Sequence, residues 1–356
     1  MRMTQNNQLS RTTLAKTKSA AVRIIGTGSL FLTLSCVMPR VEPLVLEYLE
    51  HGKPLSHGQM SDLRRKENEL IKKLHDKEWF VRFTAAKGLE LAGSPKSVPF
   101  LLVAIRDANG PVRSQVVKAL IAISERNPNN PEMTAAIPQV SKMFQQAADI
   151  LEKNEMLDIL AKIGKSAVPE LSKILQHEKD LYYRHKIIDA LIGIGKPSYS
   201  VLIEALEGAD LFESANINAK LLRIGKPLIP YAVQALNDMN PEVFYLLVRL
   251  AKHDSKGPDS RIIGALSKAL KCFNAKMQTG AALSFGEIKD ARAVLPLIEA
   301  LQDMDRDVRM EIINALGKIQ DKRALPSLTE LKKNDPDKYV RKAAEEAIMS
   351  INLKLE

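Results

Sequence analysis

Asp307-Val308-Arg309-Met310-Glu311-Ile312-Ile313-Asn314-Ala315-Leu316-Gly317-Lys318-Ile319 decides the fold, because the chain writes the same pattern again before it ends. The second copy starts at Asp337-Lys338-Tyr339-Val340-Arg341 and closes on Ala347-Ile348-Met349-Ser350-Ile351. In both, a Val-Arg pair opens a stretch whose apolar residues recur at spacings of three and four, the buried stripe of a helix. The unit returns about every 30 to 40 residues, which marks a solenoid: each helix pair cannot bury its apolar face alone and stacks on its neighbours.

Working outward, the same columns appear upstream. Val81-Arg82 is followed by Ala85, Ala86 and Leu89, Val112-Arg113 by Val116, Val117, Leu120 and Ile123, and Tyr183-Arg184 by Ile187, Ile188, Leu191 and Ile194. A first helix precedes each second one and usually opens near a proline, as at Pro99, Pro169, Pro230, Pro296 and Pro326. Proline suits a first turn because the amide it lacks would have no partner there. The units over residues 155–164, 217–225 and 281–288 keep the helix ending but lose the arginine, and residues 237–264 fit worst, with 254–259 as a loop. The expectation is an all-α chain of about nine helix pairs from residue 60 onward.

Composition agrees. Aromatic residues make up 5%, and Leu, Ile, Ala, Lys and Glu dominate, which favours helix over strand. The net charge of +10 suggests a nucleic-acid partner until it is divided along the chain. Arg2, Arg11, Lys16, Lys18 and Arg23 supply half of it before residue 35, with no acid among them. The body is only mildly basic, which argues against nucleic acid, since that partner calls for clustered positive charge. Cys36 and Cys272 lie far apart in a linear array whose repeats touch only neighbours, so no disulfide framework is expected.

The N-terminal order is a basic stretch, then residues 24–35 without charge, then Cys36. A positive n-region before an apolar run of this length is the order of a secretory signal, and the run is short for a bilayer span. Leu32-Thr33-Leu34-Ser35-Cys36 resembles a bacterial lipoprotein lipobox, although Thr33 and Leu34 stand where that pattern prefers Leu and a small residue. The resemblance implies a signal peptide over 1–35, lipidation at Cys36, and a chain held at a membrane of the bacterial cell envelope. Residues 36–65 read as a tether with one short helix, from Pro43 past Leu49, broken by Gly52, Pro54 and Gly58; residues 66–356 read as the solenoid.

The repeat columns over about residues 66–353 resemble the HEAT family, specifically the short bacterial type first noted in phycobilisome lyases. The resemblance implies a right-handed α-α superhelix whose second helices line the concave face. It also implies that the column Arg82, Arg113, Arg184, Arg309 and Arg341 is a structural ladder. In that family the arginine bonds an acid of the preceding turn, and Asp76, Asp107, Asp180, Asp303 or Asp305, and Asp335 or Asp337 stand near. The expected protein-binding positions on the concave face are Phe83, Lys87, Gln115, Lys118, His185 and Lys186, with Met310, Glu311, Asn314, Lys342 and Glu346 later on.

Enzymatic chemistry finds little support. Deoxyhypusine hydroxylase uses several His-Glu pairs to bind iron, and this chain has one, His177-Glu178. The six histidines form no i, i+4 pair, so no metal, cofactor or catalytic residue is expected. Trp79 and Phe80, which resemble the base-stacking aromatics of HEAT-like DNA glycosylases, read better as core or cap, and Cys272 as a buried thiol. The expectation is a non-catalytic scaffold for a protein partner. The alternative is a cytoplasmic HEAT-like enzyme of the chromophore-lyase or nucleic-acid-modifying kind.

Overall fold

The computed structural model describes residues 40–128, 130–207, 209–236, 241–253, 257–272, 274–302 and 305–353, all helix, turn or loop. The signal-like run and Cys36 lie outside the described residues, as do Asp303 and Phe273. The chain divides into two compact units, Met1–Ile194 and Gly195–Glu356.

In the first unit, α1 (Pro43–His51) and α2 (His57–Arg65) precede four helix pairs. These are α3 (Glu67–Lys73) with α4 (Trp79–Ala92), α5 (Val98–Ala104) with α6 (Gly110–Arg126), α7 (Pro131–Gln146) with α8 (Ile150–Ile163), and α9 (Val168–His177) with α10 (Leu181–Ile194). Each first helix packs on its second, and the second helices stack in order, α4 on α6, α6 on α8 and α8 on α10. The second unit holds five pairs: α11 (Tyr199–Glu207) with α12 (Leu211–Ile224), α13 (Ile229–Ala235) with α14 (Pro241–His253), α15 (Ser260–Leu270) with α16 (Ala275–Ile288), α17 (Val294–Ala300) with α18 (Arg306–Ile319), and α19 (Leu325–Asn334) with α20 (Lys338–Leu353). Its second helices stack the same way, from α12 to α20. Among the described residues the pairs number nine, as the columns indicate.

The stripe read from the sequence is the core. Val81, Leu89, Val116, Leu120, Ile187, Leu191, Ile312, Leu316 and Ile351 are completely buried. Each such side chain contributes about 1.5–3 kcal/mol relative to leaving it in water. Pro99, Pro169, Pro230 and Pro326 sit in the first turns of α5, α9, α13 and α19.

Several helix ends depend on glycine, Gly195 after α10 among them at φ 82°, ψ −142°. Gly164 closes α8 at φ 81°, ψ −136° and Gly225 closes α12 at φ 71°, ψ −139°. That backbone region is open essentially to glycine alone. At the ends of α16 and α18 the chain instead uses an αL residue, Lys289 and Gln320.

Residues 36–65 depart from the tether expectation in their described part. Two helices form there rather than one, and α2 is opened by a reciprocal capping box between Ser56 and Gln59. Val45, Leu46 and Leu63 are buried, and both helices lie against α4. Gly88 of α4 gives α1 and α3 room, since a Cβ there would stand 2.9 Å from Leu70 Cδ1 and 3.2 Å from Val45 Cγ2. Among the described residues α3 and α4 form the first pair, and α1 and α2 pack on α4 on the side away from α6, covering apolar surface that stacking would otherwise bury.

Candidate functional site

The column arginines stand at the fourth residue of α4, α6, α10, α18 and α20, and the carboxylate bound by Arg82 and by Arg309 comes from the turn that follows, not the one before. Arg82 donates to both carboxylate oxygens of Asp107, 2.9 Å for Nη2, across 25 residues. Its Nη1 holds the carbonyls of Asp76 and Lys77 in its own preceding turn, at 2.7 and 3.0 Å. The Arg82 guanidinium therefore ties one turn's backbone to the next turn's side chain, which staples successive repeats. Burial pushes the Asp107 carboxyl up, but hydrogen bonds from Arg82 and from the Asn109 amide outweigh it and hold the group below its ordinary value.

The other columns vary this pattern. Arg309 bonds both oxygens of Asp335, and Arg341 holds the carbonyls of Asp335 and Pro336. Arg184 donates to the carbonyls of Leu175 and Glu178, while Asp180, the expected partner, accepts the Tyr182 amide. Arg113 holds the carbonyls of Asp107 and Ala108. In α8, where the arginine is missing, Lys153 occupies the column and pairs with Glu178 at 3.7 Å. The first acid of the described ladder, Asp76, receives Arg40.

A second series lies in the unit from Gly195 onward. Asp259, Asp290 and Asp321 each cap the turn before a first helix and pair with Arg261, Arg292 and Arg323 two residues later. Arg292 also reaches the Pro258 carbonyl at 2.6 Å and Arg323 the Ala291 carbonyl at 2.7 Å, linking adjacent repeats. The recurring Asp-x-Arg in the sequence would have revealed it.

Of the expected concave-face residues, Lys118 and Lys186 are exposed and His185 is half-buried. Gln115 is not a surface residue: it is 4% exposed and donates to Glu90 of the neighbouring helix. Lys87 also bonds Glu90, at 2.7 Å, and lies over the Tyr48 ring of α1. Phe83 is half-buried and stacks on Phe80, which in turn meets Trp79 edge-on. The physical reason is shared: α1 and α2 cover this face of α4, and position 115 lies on the flank turned toward α4. The mixed charge of the face is equally plain, since Asp158 and Asp189 are exposed on α8 and α10.

Sequence reading missed a concave feature, a cleft of about 1150 Å³ in the second unit. Phe244, Tyr245, Val248 and Arg249 of α14 form one wall, and Lys276, Gly280 and Leu283 of α16 the other. Gly280 lets the two walls meet closely, since a Cβ there would stand 3.0 Å from Phe244 Cε2. Tyr245 and Leu283 remain 49% and 43% exposed at its rim, a degree of apolar exposure that stacking would otherwise remove. Glu287 closes one end, bonded to Lys252 at 3.0 Å and Lys318 at 3.3 Å, and these two lysines hold its carboxyl below the ordinary value. Degenerate repeat columns near 237–264 concealed this site.

His177 and Glu178 take separate partners, the Lys173 carbonyl and Lys153. Cys272 is half-buried with Sγ 3.0 Å from the Ala269 carbonyl. Among the described residues no three His, Cys, Asp or Glu side chains are grouped to hold a metal, and no helix is long and apolar enough to cross a membrane.

The family model for HEAT repeats matches residues 67–150 and 263–349. Among curated proteins none matches the chain in sequence. Similar solved structures include an engineered protein (17% identity, 95% of this chain and 99% of that one, TM-score 0.35) and human deoxyhypusine hydroxylase with glycerol (18%, 82% and 98%, 0.31). Kap121p bound to Ste12p is similar at 13% identity over 97% of this chain and 46% of that one, with a TM-score of 0.42. The matched stretches contain Arg82, Arg113, Arg309 and Arg341 of the ladder, and the chain is an all-α solenoid that carries HEAT repeats over those stretches.

Proposed function

We propose that this protein is a non-catalytic scaffold that binds a protein partner through the exposed face of its second helices. The cleft between α14 and α16 carries the reading. It is apolar along its floor, charged at its rim, and open enough to take side chains of a docked segment rather than to enclose a small molecule. The stacking arginines are engaged with carbonyls and carboxylates of the fold, which leaves the second-helix faces as the surface free to vary.

The scaffold is further proposed to be exported and held at a bacterial membrane by a lipid on Cys36, on the strength of the basic, apolar and cysteine order at the N-terminus. Co-purification from membranes under crosslinking, with mass spectrometry of the N-terminus, tests both parts. A partner lost from Leu283→Asp and Tyr245→Ala variants, with a lipidated Cys36, supports them. A partner retained equally by these variants overturns the docking surface, and an intact Met1 or Met3 overturns the anchor.

A further inference from the structure

We propose that the first unit carries an anion site where its arginine ladder lacks a carboxylate. The acid of the ladder stands three residues ahead of a second helix: Asp76 before Trp79, Asp107 before Gly110, Glu178 before Leu181, Asp335 before Lys338. Ahead of Ile150 that place belongs to Ala147. Arg113 is the guanidinium that would have been served. Its Nη1 holds the carbonyls of Asp107 and Ala108 as Arg82 holds those of Asp76 and Lys77, but the side that in Arg82 grips a carboxylate has none to grip.

The vacated place is a cavity of about 480 Å³, lined by Arg113, Arg106, Asp107, Met143, Gln146 and Glu152. Arg106 is held toward it by Gln146 at 3.5 Å. Among the described residues no carboxylate lies within ion-pair distance of Arg106 or Arg113. Asp107 is already bound to Arg82. Arg106 and Arg113 thus share the cavity with Glu152 and with Asp107, whose carboxylate is already engaged by Arg82. Two guanidinium forks beside one cavity suit a small oxyanion, since each offers paired N–H donors to planar or tetrahedral oxygens. The ligand class is a carboxylate from an Asp or Glu of a bound partner, or free phosphate.

The test uses the full chain and following of arginine Nε–Hε signals by NMR during titration with inorganic phosphate, with acetate, and with acetamide as the neutral control. Saturable shifts of Arg106 and Arg113 with an anion but not with acetamide are expected. Acetate binding at least as tight as phosphate assigns the site to a carboxylate, and phosphate binding alone assigns it to free phosphate. Ala147→Asp completes the ladder internally, so it should weaken anion binding by about tenfold or more and raise Tm. Arg113→Gln, which keeps a donor for the Asp107 carbonyl, should abolish the shifts at Arg106 and serves if Ala147→Asp does not fold. No saturable shift with either anion, equal shifts with acetamide, or anion binding undiminished in both variants would overturn the site. None of these outcomes depends on the α14–α16 cleft.

Discussion

Arg309 donates through Nε and Nη2 to the two carboxylate oxygens of Asp335, at 2.9 and 3.2 Å and 26 residues apart in sequence, and both side chains are nearly buried. Asp335 also accepts the Asp337 amide at 2.9 Å, so one carboxylate fixes the turn and the repeat contact together. Removing it strands a buried guanidinium. Asp335→Ala should cost about 3–5 kcal/mol in urea denaturation, and adding Arg309→Met should recover part of the loss. A loss below about 1 kcal/mol would mean the pair behaves as an exposed ion pair.

Acid sensitivity should come from the second series of pairs. Hydrogen bonds from Arg323 and Arg261 bring the carboxyls of Asp321 and Asp259 from 3.8 down to about 2. A folded value below the unfolded one adds stability that is present above about pH 4 and is lost as pH falls toward 2. Asp321→Asn should therefore lower Tm at pH 7 and flatten its fall between pH 4 and 2, read by circular dichroism melts. An acid limb of unchanged steepness in the Asp259→Asn, Asp321→Asn double variant would assign that sensitivity to other carboxylates.

Gly164 should tolerate no side chain, despite open space around it. Nothing lies within 4 Å of a Cβ built there, so the penalty of Gly164→Ala is backbone strain alone, about 1–3 kcal/mol. Gly58 is the control: it lies inside α2 with equally open surroundings and no positive φ. Gly58→Ala should stabilise by about 0.5–1 kcal/mol. Equal effects at the two positions in chemical denaturation would remove the conformational argument.

The N-terminal helices should behave as part of the solenoid. Val45 is fully buried against α4, and Val45→Asp puts a charge where no partner is available. A loss of about 3 kcal/mol or more is expected in denaturation, with earlier hydrogen exchange in α4. Unchanged exchange in α4 would restore the reading of residues 36–65 as a tether.

The repeat was legible because a stacked helix needs the same stripe each time: Val308, Ile312, Leu316 and Ile319 mark it as plainly as any motif does. The N-terminal closure was harder to see, since Gly58 and the polar run around it lower the helical signal of α2, and only Leu63 reports its burial. Lys153 escaped notice because it keeps the charge of its column without the arginine. Glu178 escaped because the offset that identifies it is counted from a helix start, which sequence places poorly. Periodicity separates inside from outside on an isolated helix, but Gln115 and Lys87 lie on flanks covered by a neighbour, and that needs coordinates. The cleft brings together residues such as Phe244 and Gly280, far apart in sequence in the least regular part of the array.

The most direct measurement is photo-crosslinking from a benzoylphenylalanine placed at Leu283, on the second-helix face, and separately at Leu295, which is 56% exposed on the first helix α17. A partner captured from Leu283 and not from Leu295 is the result this account predicts. Capture from Leu295 with none from Leu283 would contradict it.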